Sequence, residues 1–260
     1  VQPRRVDIYP NALNLKIATR LTPHNDLPTI MKTWILAIFP PAVVLFLVYI
    51  ESSHPALFRS FTMKDNASGG GYIEIGTVLI LIPAVFFGIV GALKARALQL
   101  NPVSLWLLFW ATASFYFAGE EISWGQWLFH WETPETLKEW NDQGETNLHN
   151  LGPIIGPLFD QLPRACVEFL IICGSFISIF RKLNIHFIKK ENELASWLIP
   201  HPLCISAGMM FFFLWFNKYI YNPEVLTKDV FKCSEIAEFY IALFLFSYII
   251  SIKTRLSEVR

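Results

Sequence analysis

Four stretches of this chain are long, apolar and almost free of charge, and each could cross a lipid bilayer. A helix needs about 20 apolar residues to span the roughly 30 Å hydrocarbon core, because it rises about 1.5 Å per residue. The four stretches are 33–50, 75–93, 102–119 and 197–216. They contain no Asp, Glu, Lys or Arg, and His201 is their only histidine. Charged residues make up 16% of the chain, against about 25% in a soluble domain. These features predict an all-α, polytopic membrane protein.

Two further spans are predicted, but each is long enough only if it includes acidic residues. The apolar runs 169–180 and 239–252 are too short alone. Extending them toward their N-termini takes in Glu168 in one span, and Glu235 and Glu238 in the other. The prediction is one transmembrane domain over 31–260 with about six spans: 33–50, 75–93, 102–119, 163–181, 197–216 and 234–252.

The first 30 residues are polar and interrupted by prolines, so no span is predicted there. A signal peptide would need an apolar segment near its start. Two interpretations remain open for residues 1–30: a flexible tail, or upstream translated sequence that is not native.

Lysine and arginine favour one orientation, because cytoplasmic loops are enriched in them. With six spans, one side of the membrane would carry 14 of these residues and the other 7. This distribution predicts that both termini are cytoplasmic and that 120–164 is outside. The expected location is the bacterial cytoplasmic (inner) membrane.

Polar residues concentrate where the third predicted span ends. If that helix continues past Glu121, then Glu120, Ser123, Trp127 and His130 fall within an arc of roughly 80°. A carboxylate, a hydroxyl and an imidazole on one face are typical of a catalytic site, so Glu120, Glu121, Ser123 and His130 are candidate catalytic residues. The tryptophans nearby are expected to form an interfacial belt: Trp124, Trp127, Trp131 and Trp140.

A second polar group follows at 141–150. Glu145 and His149 are four residues apart and would share one face of a helix. The next stretch, 151–159, has two Gly-Pro pairs, which exclude a regular spanning helix and favour a re-entrant or interfacial turn.

In the six-span topology the intramembrane glutamates all fall in the outer half of the bilayer. An ionised carboxylate there is costly unless it is paired, protonated or bound to a cation. Histidines and carboxylates are common metal ligands. A divalent metal such as zinc is therefore a candidate cofactor, with these candidate ligands: Glu120, Glu145, His149, Glu168, Glu235 and Glu238. The alternative is that Glu168, Glu235 and Glu238 pair with Arg164 or Lys232.

Three functions fit this pattern. The first is a metal-dependent hydrolase or transferase that acts on a lipid or lipid-linked substrate, because a metal would offset the carboxylates and activate water. The second is a cation- or proton-coupled transporter in which the glutamates bind the ion. The third is a non-catalytic subunit that docks a protein partner through 120–164. The formal net charge of zero gives no indication of a nucleic-acid partner, so membrane lipid is the expected partner.

Two short runs also resemble a known signature. Gly-Glu-Glu-Ile-Ser-Trp-Gly-Gln at 119–126, followed by Gly-Glu-Thr-Asn-Leu-His-Asn at 144–150, is similar to the signature of an uncharacterised bacterial family of polytopic membrane proteins. The resemblance covers only residues 119–150. It implies no established activity, and no residue roles follow from it.

Overall fold

The structure, a computed structural model, is a bundle of six apolar helices that are long enough to cross a membrane. It describes residues 27–62, 71–141, 144–148, 158, 161–183, 193–221, 229–230 and 233–259, with the backbone alone for 27–34, 127, 193 and 221. The main helices are α1 (Leu27–Ser53), α2 (Tyr72–Ala97), α3 (Asn101–Glu121), α4 (Leu162–Lys182), α5 (Ile205–Phe216) and α6 (Ser234–Glu258). The fifth span, Leu194–Ile220, contains α5 and a short helix before it. The predicted six-span helical bundle is confirmed, and the protein is an integral membrane protein.

The helices alternate in direction, which brings one end of each of the six spans to the same side of the bundle. The C-termini of α1, α3 and α5 and the N-termini of α2, α4 and α6 lie at this side, which we call the acidic end. The connection from α3 to α4 begins here, with a 3₁₀ turn at Ser123–Gly125 and short helices at Gln126–Phe129 and Glu135–Lys138. It is therefore partly helical, as predicted. Of the predicted re-entrant stretch 151–159, only Leu158 lies within the described residues.

Helix α6 is the centre of the bundle. In its apolar window 78% of the residues are buried, whereas only 22% are buried in the windows of α1 and α4. Its principal neighbours are α2 and α5. Because of this position its buried polar residues, Glu238, Ser247 and Ser251, face protein rather than lipid.

Helices α2 and α3 form the most closely packed pair. A Cβ atom added at Gly88 would lie 2.8 Å from the Cβ atom of Ala111, so only glycine permits this approach. The Ser104 hydroxyl donates a hydrogen bond of 2.9 Å to the carbonyl oxygen of Ala92, across the same interface. The small residues of 88–95 allow this close packing.

The prolines within the spans leave carbonyl groups that side chains then satisfy. Pro41 in α1 has no N–H for the carbonyl of Ala37, and the Ser206 hydroxyl donates to that oxygen at 2.6 Å. The fifth span is broken around Pro200 and Pro202, and the Ser178 hydroxyl donates to the Pro200 carbonyl oxygen at 2.6 Å. Irregular backbone at membrane depth is stable only with such protein partners.

The structure extends the first helix beyond the prediction. Helix α1 begins at Leu27, four residues inside the segment interpreted as a tail, and its apolar part is Ile35–Ser53. Residues 1–26 lie outside the described part of the chain.

Candidate functional site

The chain reverses sharply after Glu121. Helix α3 ends there, and Ser123, Trp124 and Gly125 all have positive φ angles, of 48°, 56° and 94°. The Trp124 ring folds back onto α3, where a Cβ atom at Gly119 would lie 2.9 Å from it. The conditional prediction that α3 continues is therefore wrong. Glu120, Ser123, Trp127 and His130 do not share a helical face, because the chain turns left-handed to pack this indole.

Glu120 joins this turn to the second half of the signature. Its Oε1 atom accepts a hydrogen bond of 2.6 Å from the Trp124 indole, and its Oε2 atom accepts one of 2.8 Å from the Leu148 backbone N–H. Both carboxylate oxygens of this buried side chain are thus engaged in holding the α3–α4 connection.

Ser123 and Glu145 belong to the same network. The Ser123 hydroxyl donates to Glu145 Oε2 at 2.8 Å, and the Asn147 amide donates to that oxygen at 2.7 Å. Asn141 in turn donates to the Asn147 backbone carbonyl and side-chain oxygens at 3.0 and 2.9 Å. The Ser123 hydroxyl is thus held against a carboxylate, within the network that joins the two signature runs.

Gln126 completes the connection between the two runs. Its side-chain oxygen accepts from the Thr146 N–H at 2.7 Å, and its amide donates to the Thr133 hydroxyl at 2.9 Å. Residues 144–148 are not helical, so Glu145 does not begin the predicted helix. The physical reason is that their backbone is held by side chains of 120–126. The two signature runs therefore pack on each other.

The histidines predicted at the site are not part of its described geometry. His130 is exposed, has a φ angle of 54° and ends the short helix Gln126–Phe129. His149 lies outside the described residues. Trp124, Trp131 and Trp140 are 38%, 39% and 50% exposed, as expected of an interfacial belt, and the Trp124 ring also packs against Phe115 and Tyr116.

Three glutamates converge at the acidic end. Glu121 on α3 and Glu235 and Glu238 on α6 each place a carboxylate oxygen so that the three atoms lie within 4.8 Å of one another. We call this set the carboxylate cluster. Glu121 and Glu238 are buried, so their carboxylates meet away from solvent.

Two charged residues from other helices adjoin the cluster. Arg164 on α4 forms an ion pair with Glu238. Glu74 on α2 is buried, with 4% of its surface exposed, and lies near enough to Glu121 for their charges to repel. Four of the six spans thus bring ionisable groups to one place, and the alternative pairing of Glu238 with Arg164 is observed.

A cavity of about 160 Å³, open at its mouth, extends from this place between α3, α4 and α6. At one end it is lined by charged groups, which are Glu120, Glu121, Arg164 and Glu238. The remaining wall is almost wholly apolar or aromatic: Trp110, Ala113, Tyr116, Phe117, Pro163, Val167, Ile241 and Leu245. Its lining changes from ionic to apolar along its length.

The remaining candidates are peripheral. Glu168 is half-buried on α4 and does not line the cavity. Cys233, just before α6, is free, and burial, reinforced by Glu235, raises the pKa of its thiol to about 11. A thiol that stays protonated at neutral pH is a poor nucleophile and a poor metal ligand.

Sequence reasoning missed Glu74 and the specific partnership of Glu121 with the α6 pair. Glu74 precedes the predicted span 75–93 by one residue, and extending that span by one turn, as was done for Glu168, would have included it. Which of the adjacent residues Glu120 and Glu121 faces the cluster depends on helix packing.

No protein-family model matches this chain, and no curated protein or solved structure is significantly similar to it. The function must therefore be argued from the site itself.

Proposed function

We propose that this membrane protein is a metal-dependent enzyme, a hydrolase or transferase acting on a lipid or lipid-linked substrate. The observation that carries the proposal is the carboxylate cluster at the charged end of an otherwise apolar intramembrane cavity. A cation bound by these three carboxylates would lie next to the polar group of an amphipathic molecule whose apolar part occupies the cavity.

The chemistry of the cluster indicates the kind of metal. Glu121, Glu235 and Glu238 offer only oxygen, and their separation of at most 4.8 Å suits ligands on one ion. Carboxylate oxygens favour magnesium, manganese or calcium, whereas zinc is usually bound by nitrogen or sulfur. A divalent cation would also relieve the repulsion among buried glutamates that Arg164 offsets only in part.

In this proposal the residues have different roles. The cluster holds the cation, which would polarise a phosphoryl or carbonyl oxygen and activate water. Arg164, already beside Glu238, would contact an anionic headgroup. Glu120, Ser123 and Glu145 hold the α3–α4 connection over the site rather than react.

The location is part of the proposal. We infer that the cluster lies in the outer leaflet of a bacterial cytoplasmic membrane with both termini in the cytoplasm, since the lysine and arginine distribution favours this orientation. Membership in the bacterial family with the same signature is likewise proposed, supported by the mutual packing of its two runs.

The test is metal binding by the purified full-length protein. We expect it to retain magnesium, manganese or calcium after dialysis, and Glu121→Gln and Glu235→Gln to weaken binding by roughly tenfold or more, as losses at metal sites do. Glu258→Gln, at an exposed position on α6, is the matched control and should bind like the wild type. Folded variants that bind as the wild type does, or a wild type that binds no divalent cation, would contradict the proposal.

A cation- or proton-coupled transporter is the second candidate. The adjacent carboxylates of Glu121 and Glu238 could carry a transported proton, and the broken fifth span resembles the discontinuous helices of transporters. In proteoliposomes this function predicts an ion gradient-driven flux that Glu238→Gln abolishes. Absence of flux together with metal binding would favour the enzyme.

A further inference from the structure

We propose that the cavity binds one hydrocarbon chain of a membrane lipid and selects chains by length, with Trp110 and Leu245 closing its deep end. This deepens the proposed function by naming the substrate class, and it rests on that function only for the position of the headgroup.

The depth of the cavity supports a single chain. Along α3, Trp110 lies eleven residues from Glu121, which is about 16 Å of helix rise. Along α6, Leu245 lies seven residues from Glu238, or about 10 Å. One leaflet contributes roughly half of the 30 Å hydrocarbon core. The cavity is thus about as deep as one lipid chain is long.

The wall of the cavity is suited to a hydrocarbon. Below the charged mouth, α3 contributes Ala113 and Phe117, α4 contributes Val167, and α6 contributes Ile241. Apolar lining favours an apolar occupant, and each buried methylene contributes about 0.8 kcal/mol relative to water. At the deep end, Trp110 and Leu245 are themselves 5% and 3% exposed, so they form a floor packed into the core.

A lipid could enter from the side. Helices α3 and α4 form opposite walls of the cavity and make little direct contact with each other. Helix α4 is one of the two least buried spans, and Phe169 and Leu170 on it are exposed where lipid would lie. A chain could therefore pass from the bilayer between α3 and α4 without leaving an apolar environment.

The charged mouth determines how the chain is oriented. When the hydrocarbon chain of a lipid points toward Leu245, the headgroup of that lipid lies at Arg164 and the carboxylate cluster. Arginine binds phosphate in a fork geometry, and a cation on the cluster would bind it as well. A phosphate-bearing lipid fits both ends of the cavity, because its charged headgroup would lie at the charged mouth and its hydrocarbon chain would lie against the apolar wall.

The experiment measures binding of lysophosphatidic acids with decanoyl, myristoyl or stearoyl chains to the purified full chain by native mass spectrometry, in EDTA. We expect the wild type to prefer the myristoyl chain. Ala113→Phe and Leu245→Trp both fill the deep half of the cavity, so each should lose myristoyl binding and retain decanoyl binding. Leu108→Trp, which adds the same bulk to a lipid-exposed position of α3, is the matched control and should keep the wild-type preference.

Two results would overturn the inference: equal binding of all three chains by the wild type, or an unchanged preference in Ala113→Phe. Ala113 is half-buried, so its variant decides the matter if Leu245→Trp does not fold. The two proposals fail separately. If no metal binds but chain preference is kept in EDTA and in Glu235→Gln, only the enzyme proposal fails. If metal binds and chain preference is absent, only the length selection fails.

Discussion

Two serines of α3 illustrate how much the partner of a buried hydroxyl matters. Ser104 is buried and donates to the Ala92 carbonyl oxygen on α2 at 2.9 Å. Ser114 is fully buried, and its hydroxyl has no hydrogen-bond partner among the described residues. A satisfied buried hydroxyl stabilises the fold, whereas an unsatisfied one costs free energy.

These serines form a matched pair for a stability test. Ser104→Ala should lower the free energy of unfolding by about 1 kcal/mol, because it removes the hydrogen bond that the hydroxyl donates to the Ala92 carbonyl oxygen at the α2–α3 interface. Ser114→Ala should leave stability unchanged or raise it. Thermal unfolding of both variants in one detergent measures the difference. Equal destabilisation by both would show that Ser114 has a partner, such as a buried water.

Adjacent residues can also belong to different parts of the site: Glu120 belongs to the hydrogen-bond network of the α3–α4 connection, and Glu121 belongs to the carboxylate cluster. Glu120 accepts from Trp124 and Leu148 and holds the α3–α4 connection. Glu121, one position further, joins Glu235 and Glu238. Successive residues on a helix point about 100° apart, so one can face the connection and the next can face α6.

At the scale of elements, the break in the fifth span is held by the arginine of α6. Arg255 donates to the carbonyl oxygens of Ser196 and Trp197 at 2.8 and 3.0 Å, and its guanidinium lies 5.3 Å from the centre of the Trp197 ring. Tyr248 donates to the Leu198 carbonyl oxygen at 2.5 Å. Carbonyls that end a helix inside a membrane are thereby satisfied.

Replacing Arg255 by lysine should weaken the contact between α6 and the broken part of the fifth span. Arg255→Lys keeps the charge but loses the planar fork, so one carbonyl loses its donor and the ring loses its stacked cation. We expect a loss of about 2 kcal/mol, as for hydrogen bonds to charged groups. The unfolding temperature is the measurement, with Arg96→Lys at an exposed position as the control. An equal temperature for both variants would contradict the role assigned to Arg255.

At the scale of the whole molecule, the six spans place all the charged lining of the cavity at one end of the bundle. If the lysine and arginine distribution sets the orientation, that end faces outward. In a background without the four native cysteines, Lys138→Cys should then react with an impermeant thiol reagent in intact cells. Reaction only after lysis would reverse the orientation and move the cluster to the cytoplasmic leaflet.

The sequence by itself determined the class of fold and the number of spans. An apolar stretch is costly in water, and backbone groups without hydrogen bonds are costly in lipid. Both costs depend on the composition and length of the stretch, so a span can be predicted without knowing which helices pack against it. The same reasoning predicted that Glu235 and Glu238 lie inside a span, and the structure places Glu238 among the buried residues.

Only the tertiary structure decided which polar residues meet. The sequence offered Glu120, Glu145, His149 and Glu168 as metal ligands beside the α6 glutamates, and Glu121 as a catalytic residue. In the structure the Glu121 carboxylate lies beside those of α6, and Glu74 is nearby. The chain turns at Ser123 because Trp124 packs over Gly119, a contact that no local periodicity reveals. The rotation of α3 and the packing of the Trp124 indole against Gly119 depend on tertiary contacts. The sequence could therefore narrow the list of site residues but could not decide which of them meet.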